Sequence, residues 1–273
     1  HLSIRRQRQM CIRDRNNGYY HATEKHPLHV YGSDYDNNGR YDALLSMWKP
    51  ATLHGPMKEF PVAYRDQLAE EIPSIKKLFP VYNAYANADM NKVMSNFKRD
   101  NELTLLATTL SSVWIENKGK FTFEVHTLPA QAQFSAVFGI AVNDYNADGN
   151  VDVLLIGNLY DMHPNQGRVD ASNGLLLQGD GAGNFKPLSI LQSGIFVPGN
   201  ARSLIQFPYK GSIAAVAAQN QGRLRLFHLK QAVETVDVAE TNQLVKLKNG
   251  KQRKEEYYYG SSFGSQSARF RIK

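Results

Sequence analysis

Two stretches decide the fold: Asp34-Tyr-Asp36-Asn-Asn38-Gly39-Arg40-Tyr-Asp42, which runs on into Ala43, Leu44 and Leu45, and Asp144-Tyr-Asn146-Ala-Asp148-Gly149-Asn150-Val-Asp152, which runs on into Val153, Leu154, Leu155 and Ile156. Both read D-x-[DN]-x-[DN]-G-x-x-D followed by an apolar run. Leu28, Val30 and Tyr31 precede the first, and Val137, Phe138, Ile140 and Val142 precede the second. Short apolar runs on both sides predict loops that join two strands. An EF-hand would need a bidentate Glu at position 12, where these loops carry Leu45 and Leu155, and helices on either side.

The spacing suits a hard cation. Ca²⁺ takes about six to eight oxygen ligands at roughly 2.3–2.6 Å. Positions 1, 3 and 5 offer the side-chain oxygens of Asp34, Asp36 and Asn38 in one loop and of Asp144, Asn146 and Asp148 in the other. Position 7 offers a backbone carbonyl, from Arg40 or Asn150, and position 9 a carboxylate, Asp42 or Asp152. Glycine at position 6 permits the positive φ that wraps the chain round an ion. An Asx-rich turn without an ion is the plainer reading of either loop alone. Two matched copies favour the cation, and Mg²⁺, which demands octahedral geometry and keeps its waters, suits the pattern less. At its side-chain ligand positions each loop offers three carboxylates and one Asn, so charge does not rank them. The second runs straight into an unbroken strand and is expected to be the more rigid and the tighter.

A second feature repeats. Val113 to Phe121 and Leu175 to Phe185 are apolar runs, then Gly/Asn-rich hairpin turns, then an aromatic that restarts a strand. The order is loop, strand, hairpin, twice, with an insertion in the first interval. From about 57 to 99 the pattern turns helical: Asp66 is a candidate cap for Leu68, Ile72, Ile75, Leu78 and Phe79, and Asn87 or Asp89 for Met90, Val93, Met94 and Phe97. Pro73 predicts several short helices over one long one. Strands are predicted next at Ser203–Phe207, Ser212–Ala218 and Arg223–Leu229. Gln243 to Tyr259 reads as a hairpin turning at Asn249-Gly250, and Arg269 to Ile272 as a closing strand.

The chain has 273 residues, 42% of them hydrophobic, enough for one large domain or two modest ones. No stretch reaches the ~18 apolar residues of a membrane helix. The single Cys11 excludes a disulfide framework within the chain and a cysteine metal site. His1 to Arg15 is rich in arginine, shows no secretory signal, and resembles translated adapter read-through, so it is expected to be a non-native or disordered tail. On that reading the natural N-terminus, with any signal, lies outside the sequence. Without the tail's five Arg and one Asp the net charge falls from +7 to +3, which removes most of the argument for nucleic acid.

The acidic loops and G-x-G-x-F hairpins resemble FG-GAP/VCBS repeats, the blades of integrin-α-like β-propellers. Asn17-Asn-Gly-Tyr20, Gly157 to Gly174 and Tyr258 to Ser267 further resemble the C-terminal part of ASPIC/UnbV-associated VCBS repeat proteins of Bacteroidota. Asn146 departs from that pattern, which often has Asp at position 3, and this puts the strength of the second site in doubt. The resemblance implies an all-β fold: a partial β-propeller of antiparallel four-stranded blades over 16–240, with a small helical insertion, then a C-terminal hairpin and closing strand over 241–273. It implies a non-catalytic Ca²⁺-binding module of a secreted or cell-surface protein, extracytoplasmic, with a protein or glycan ligand. The alternative is an accessory domain of a larger extracellular hydrolase or lyase.

Enzymatic signals are weak. His21, His26 and His29 match no zinc spacing. Asp161, His163, Arg168, Asp170 and Ser172 share a polar loop, without a nucleophile elbow. That loop, through Tyr160, His163, Arg168 and Asp170, is the candidate ligand-contacting surface.

Overall fold

The computed structural model describes residues 20–162, 167–246, 250, 252–257 and 267–272. The expected tail at 1–15, candidate His163, Asn249 of the expected hairpin turn and the 258–266 stretch lie outside them. The fold is mostly β, 42% strand against 12% helix, and it is built on antiparallel four-stranded sheets. Among the described residues no closed barrel or propeller is formed. The chain divides into two compact units, 20–110 and 111–272.

In the unit 20–110, β1 (Leu28–Ser33) and β2 (Asp42–Pro50) pair antiparallel, from Ser33 opposite Asp42 to His29 opposite Ser46. The first acidic loop therefore closes directly on the last pair of the ladder. A turn held by Ala51 N–H to the Pro56 carbonyl at 2.9 Å returns the chain as β3 (Met57–Pro61) beside β2. Four short helices follow: α1 (Arg65–Glu71), α2 (Ile75–Leu78), α3 (Tyr82–Ala86) and α4 (Met90–Met94). β4 (Leu103–Ala107) then pairs with the other edge of β1, giving the order β3-β2-β1-β4.

The helical segment thus starts later than its sequence pattern suggests. Met57–Pro61 is a strand because the turn after β2 delivers it to an open edge whose backbone groups need partners. Asp66 lies in the first turn of α1, where Tyr64 holds the N-cap position, and Asp89 caps α4 by accepting from Lys92 N–H at 3.0 Å. Pro73 falls between α1 and α2. The helices bury Leu68, Ile72, Ile75, Phe79, Met90 and Val93 against Leu44 and Tyr35. Each large aliphatic side chain there contributes about 1.5–3 kcal/mol of burial. Tyr35 is loop position 2, so this core grips the loop directly.

In the unit 111–272, β5 (Val113–Gly119) and β6 (Thr122–Thr127) form a two-stranded hairpin. β7 (Gly139–Asn143), β8 (Asp152–Ile156), β9 (Leu175–Gly179) and β10 (Phe185–Leu188) form a four-stranded meander in chain order. The second acidic loop joins β7 to β8, closing on the pair Asn143–Asp152. After a single turn α5 (Ile190–Ser193) come β11 (Ala201–Tyr209), β12 (Ser212–Gln219) and β13 (Arg225–Thr235). The hairpin of β14 (Asn242–Lys246) and β15 (Gln252–Glu256) intervenes before β16 (Phe270–Ile272) pairs with the far end of β13. One core joins the two four-stranded sheets, with Ala141, Leu154 and Ile156 against Leu204, Ala215 and Ala217.

The two hairpins with matching sequence are not equivalent in the fold. β9 and β10 belong to the sheet that carries the second loop, whereas β5 and β6 form a two-stranded sheet of their own. In the first-loop sheet the strand beside β2 is β3, which arrives from the turn after β2.

Candidate metal centre

Both loops are held by the same hydrogen-bond skeleton. The position 1 carboxylate accepts from the amides of positions 5 and 6: Asp34 from Asn38 at 3.0 Å and Gly39 at 2.9 Å, Asp144 from Asp148 at 3.2 Å and Gly149 at 2.8 Å. Position 3 accepts from the amide of position 5, Asp36 at 3.1 Å and Asn146 at 3.0 Å. Position 5 accepts from the amide of position 7, so Asn38 receives Arg40 N–H and Asp148 receives Asn150 N–H, each at 2.7 Å. Gly39 and Gly149 take φ of 82° and 90°, as the wrap requires. These bonds turn the side chains of positions 1, 3 and 5 inward while the backbone spends its donors on them.

Position 9 closes each loop from the strand. Asp42 Oδ2 accepts from Tyr35 N–H at 3.0 Å, and Asp152 Oδ2 from Tyr145 N–H at 2.9 Å. Asp152 Oδ1 also accepts from Gly179 N–H at 2.9 Å, tying the loop to β9. Burial pushes the carboxyls of Asp42 and Asp152 above the usual carboxylate range. The backbone donors oppose that rise, and the neighbouring loop aspartates add to it.

The donor set fits a hard divalent cation. Ligand oxygens of Asp34, Asp36 and Asp42 lie within 4.8 Å of one another. Among the described residues, none of the six aspartates of the two loops makes an ion pair. The second loop presents the same donor types, but its three carboxylates do not converge to that distance, and the Asn146 amide donates to Asp148 Oδ2 at 2.9 Å. The other three-residue cluster, Glu116, Glu124 and His126 on β5 and β6, already encloses Lys118, whose Nζ lies 2.9 Å from Glu116 and 3.1 Å from Glu124.

The sequence pattern missed the residues at position 2. Tyr35 and Tyr145 are buried, and each hydroxyl finds a polar partner: Tyr35 donates to Glu102 at 2.8 Å, and Tyr145 accepts from Gln206 Nε2 at 2.5 Å. The signal was present, since both loops read Asp-Tyr at their start. Gly181 was missed as well. A Cβ there would lie 2.3 Å from Asn150 Oδ1, so the β9–β10 turn approaches the second loop closely.

The remaining candidates are placed as follows. A Leu159–Val169 bridge brings Tyr160 and Arg168 together, and the Arg168 guanidinium lies 4.8 Å over the Tyr160 ring. Asp170 is exposed, and Asp161 pairs with Arg202 at 2.5 Å. Ser172 is engaged through its backbone with the fully buried Asn158, and its Oγ accepts from Gly174 N–H at 3.2 Å. His29 pairs with Glu59 at 2.7 Å and His26 packs on Trp48, and among the described residues neither shares a metal-ligand cluster with His21. Compared with known proteins, the chain matches no family model and no curated sequence.

Proposed function

We propose that this chain is a non-catalytic Ca²⁺-binding module of β-propeller type, belonging to the FG-GAP/VCBS repeats it resembles. The observation that carries the reading is the shared skeleton of the two loops: the same two amides bound to the position 1 carboxylate, the same bonding pattern at positions 3 and 5, and no ion pair at any of the six aspartates among the described residues. Asp34, Asp36, Asn38 and Asp42, with the Arg40 carbonyl, hold one ion. Asp144, Asn146, Asp148 and Asp152, with the Asn150 carbonyl, hold the other. The ion supplies a cross-link between the ends of neighbouring strands and neutralises carboxylates that otherwise repel.

The blade reading is supported by the β7–β10 meander and by its packing against the β11–β12–β13 sheet through a common core. On this reading the module is extracytoplasmic. Its ligand-contacting surface is the loop containing Tyr160, Arg168 and Asp170, where an aromatic ring under a guanidinium and an exposed carboxylate suit a protein or glycan partner. Thermal melts of the full chain in excess chelator and in millimolar calcium test the proposal. Calcium at 100 times Kd should stabilise each bound site by about 2.7 kcal/mol, and coincident melts reject the reading.

A further inference from the structure

The Arg253 side chain ties the β14–β15 hairpin to the second loop. Arg253, on β15, donates from Nη1 to the Gly149 carbonyl at 2.8 Å, and its Nη2 pairs with the Glu255 carboxylate. Gly149 is loop position 6, between Asp148 and Asn150, two of the residues assigned to the ion. Between the hairpin and the sheet is a cavity of about 120 Å³ whose walls include Val142, Val151, Arg253 and Tyr257. Two strands alone are marginally stable, so the position of this ribbon depends on contacts of this kind. A guanidinium and a divalent ion on one short loop are like charges, and Glu255 offsets only part of the guanidinium's charge.

We propose that Arg253 is a positioning residue that couples the β14–β15 hairpin to cation binding in the Asp144–Asp152 loop, with negative sign. The inference rests on the cation reading of that loop. Ion binding weakens the Arg253–Gly149 contact and loosens the hairpin, and the contact in turn weakens ion binding by the same factor, because coupling between two binding events is reciprocal. The hairpin is then a strap that calcium releases.

The test uses the full chain carrying Asp34→Ala, so that the second loop titrates alone. Calcium affinity is measured by calorimetry with Arg253, with Arg253→Gln and with Arg253→Lys. Hydrogen exchange of the amides in 242–246 and 252–256 is followed with and without calcium. Arg253→Gln should tighten binding several-fold, Arg253→Lys should not, and calcium should speed hairpin exchange only where the positive charge is kept. A merely structural role would weaken binding in Arg253→Gln. Calcium binding that is unchanged or weakened by Arg253→Gln overturns the coupling. No calcium binding in the Asp34→Ala chain overturns the cation reading of the loop, and the coupling with it.

Discussion

The Asp152 carboxylate accepts the Tyr145 backbone amide on one oxygen at 2.9 Å and the Gly179 amide on the other at 2.9 Å, so one side chain closes its own loop and fastens it to the next strand. Asp42, its counterpart in the first loop, accepts one backbone amide, from Tyr35 at 3.0 Å. Replacing Asp152 with Ala leaves two buried donors without acceptors, at roughly 1–3 kcal/mol each. Asp152→Ala should therefore destabilise the protein more than Asp42→Ala in chelator, by about 1–3 kcal/mol in urea unfolding.

Glu102 gives a pH-dependent prediction. Burial pushes its carboxyl up, but hydrogen bonds from Arg99 and from the Tyr35 hydroxyl, with the charge of Arg99, outweigh this and hold it below the usual carboxylate range. A carboxyl with a lowered native pKa stabilises fully above its unfolded value, near ~4.3, and that contribution is lost as pH falls through the lower native value. Glu102→Gln should cost about 1–3 kcal/mol at neutral pH. The gap between the variant and the parent should close as urea unfolding is repeated toward pH 3.

The two loops should differ in affinity, with the first the tighter. Rigidity alone favours the second, which Asp152 anchors twice. In the first loop, however, three carboxylates already converge within 4.8 Å. In the second, an ion must displace the Asn146 amide from Asp148 and tolerate the Arg253 guanidinium. Calorimetry on Asp144→Ala, which leaves the first loop, should therefore show a lower Kd than on Asp34→Ala, which leaves the second.

Much of this architecture is legible in the residues themselves. The acidic loops sit between antiparallel strands because the apolar runs on both sides of each are short, and Asp89 caps α4 by its position before an apolar run. Long-range pairing is not legible. Nothing local to Met57-Lys-Glu-Phe-Pro61 marks it as the third strand of its sheet; the open edge of β2 decides that. For the same reason two hairpins of like sequence have different pairings, β9–β10 within a four-stranded sheet and β5–β6 as a two-stranded sheet of its own. At the candidate site the donors could be read from spacing. Their tethers, Glu102 to Tyr35 and Gln206 to Tyr145, join residues more than sixty positions apart, beyond the reach of any local pattern.

The most direct measurement is a calorimetric calcium titration of the full chain beside the Asp34→Asn, Asp144→Asn double variant, after both are stripped with chelator. The account predicts saturable binding with a stoichiometry of about two ions per chain, lost in the double variant. Absence of saturable binding to the parent chain at millimolar calcium, or binding retained unchanged in the double variant, would contradict it.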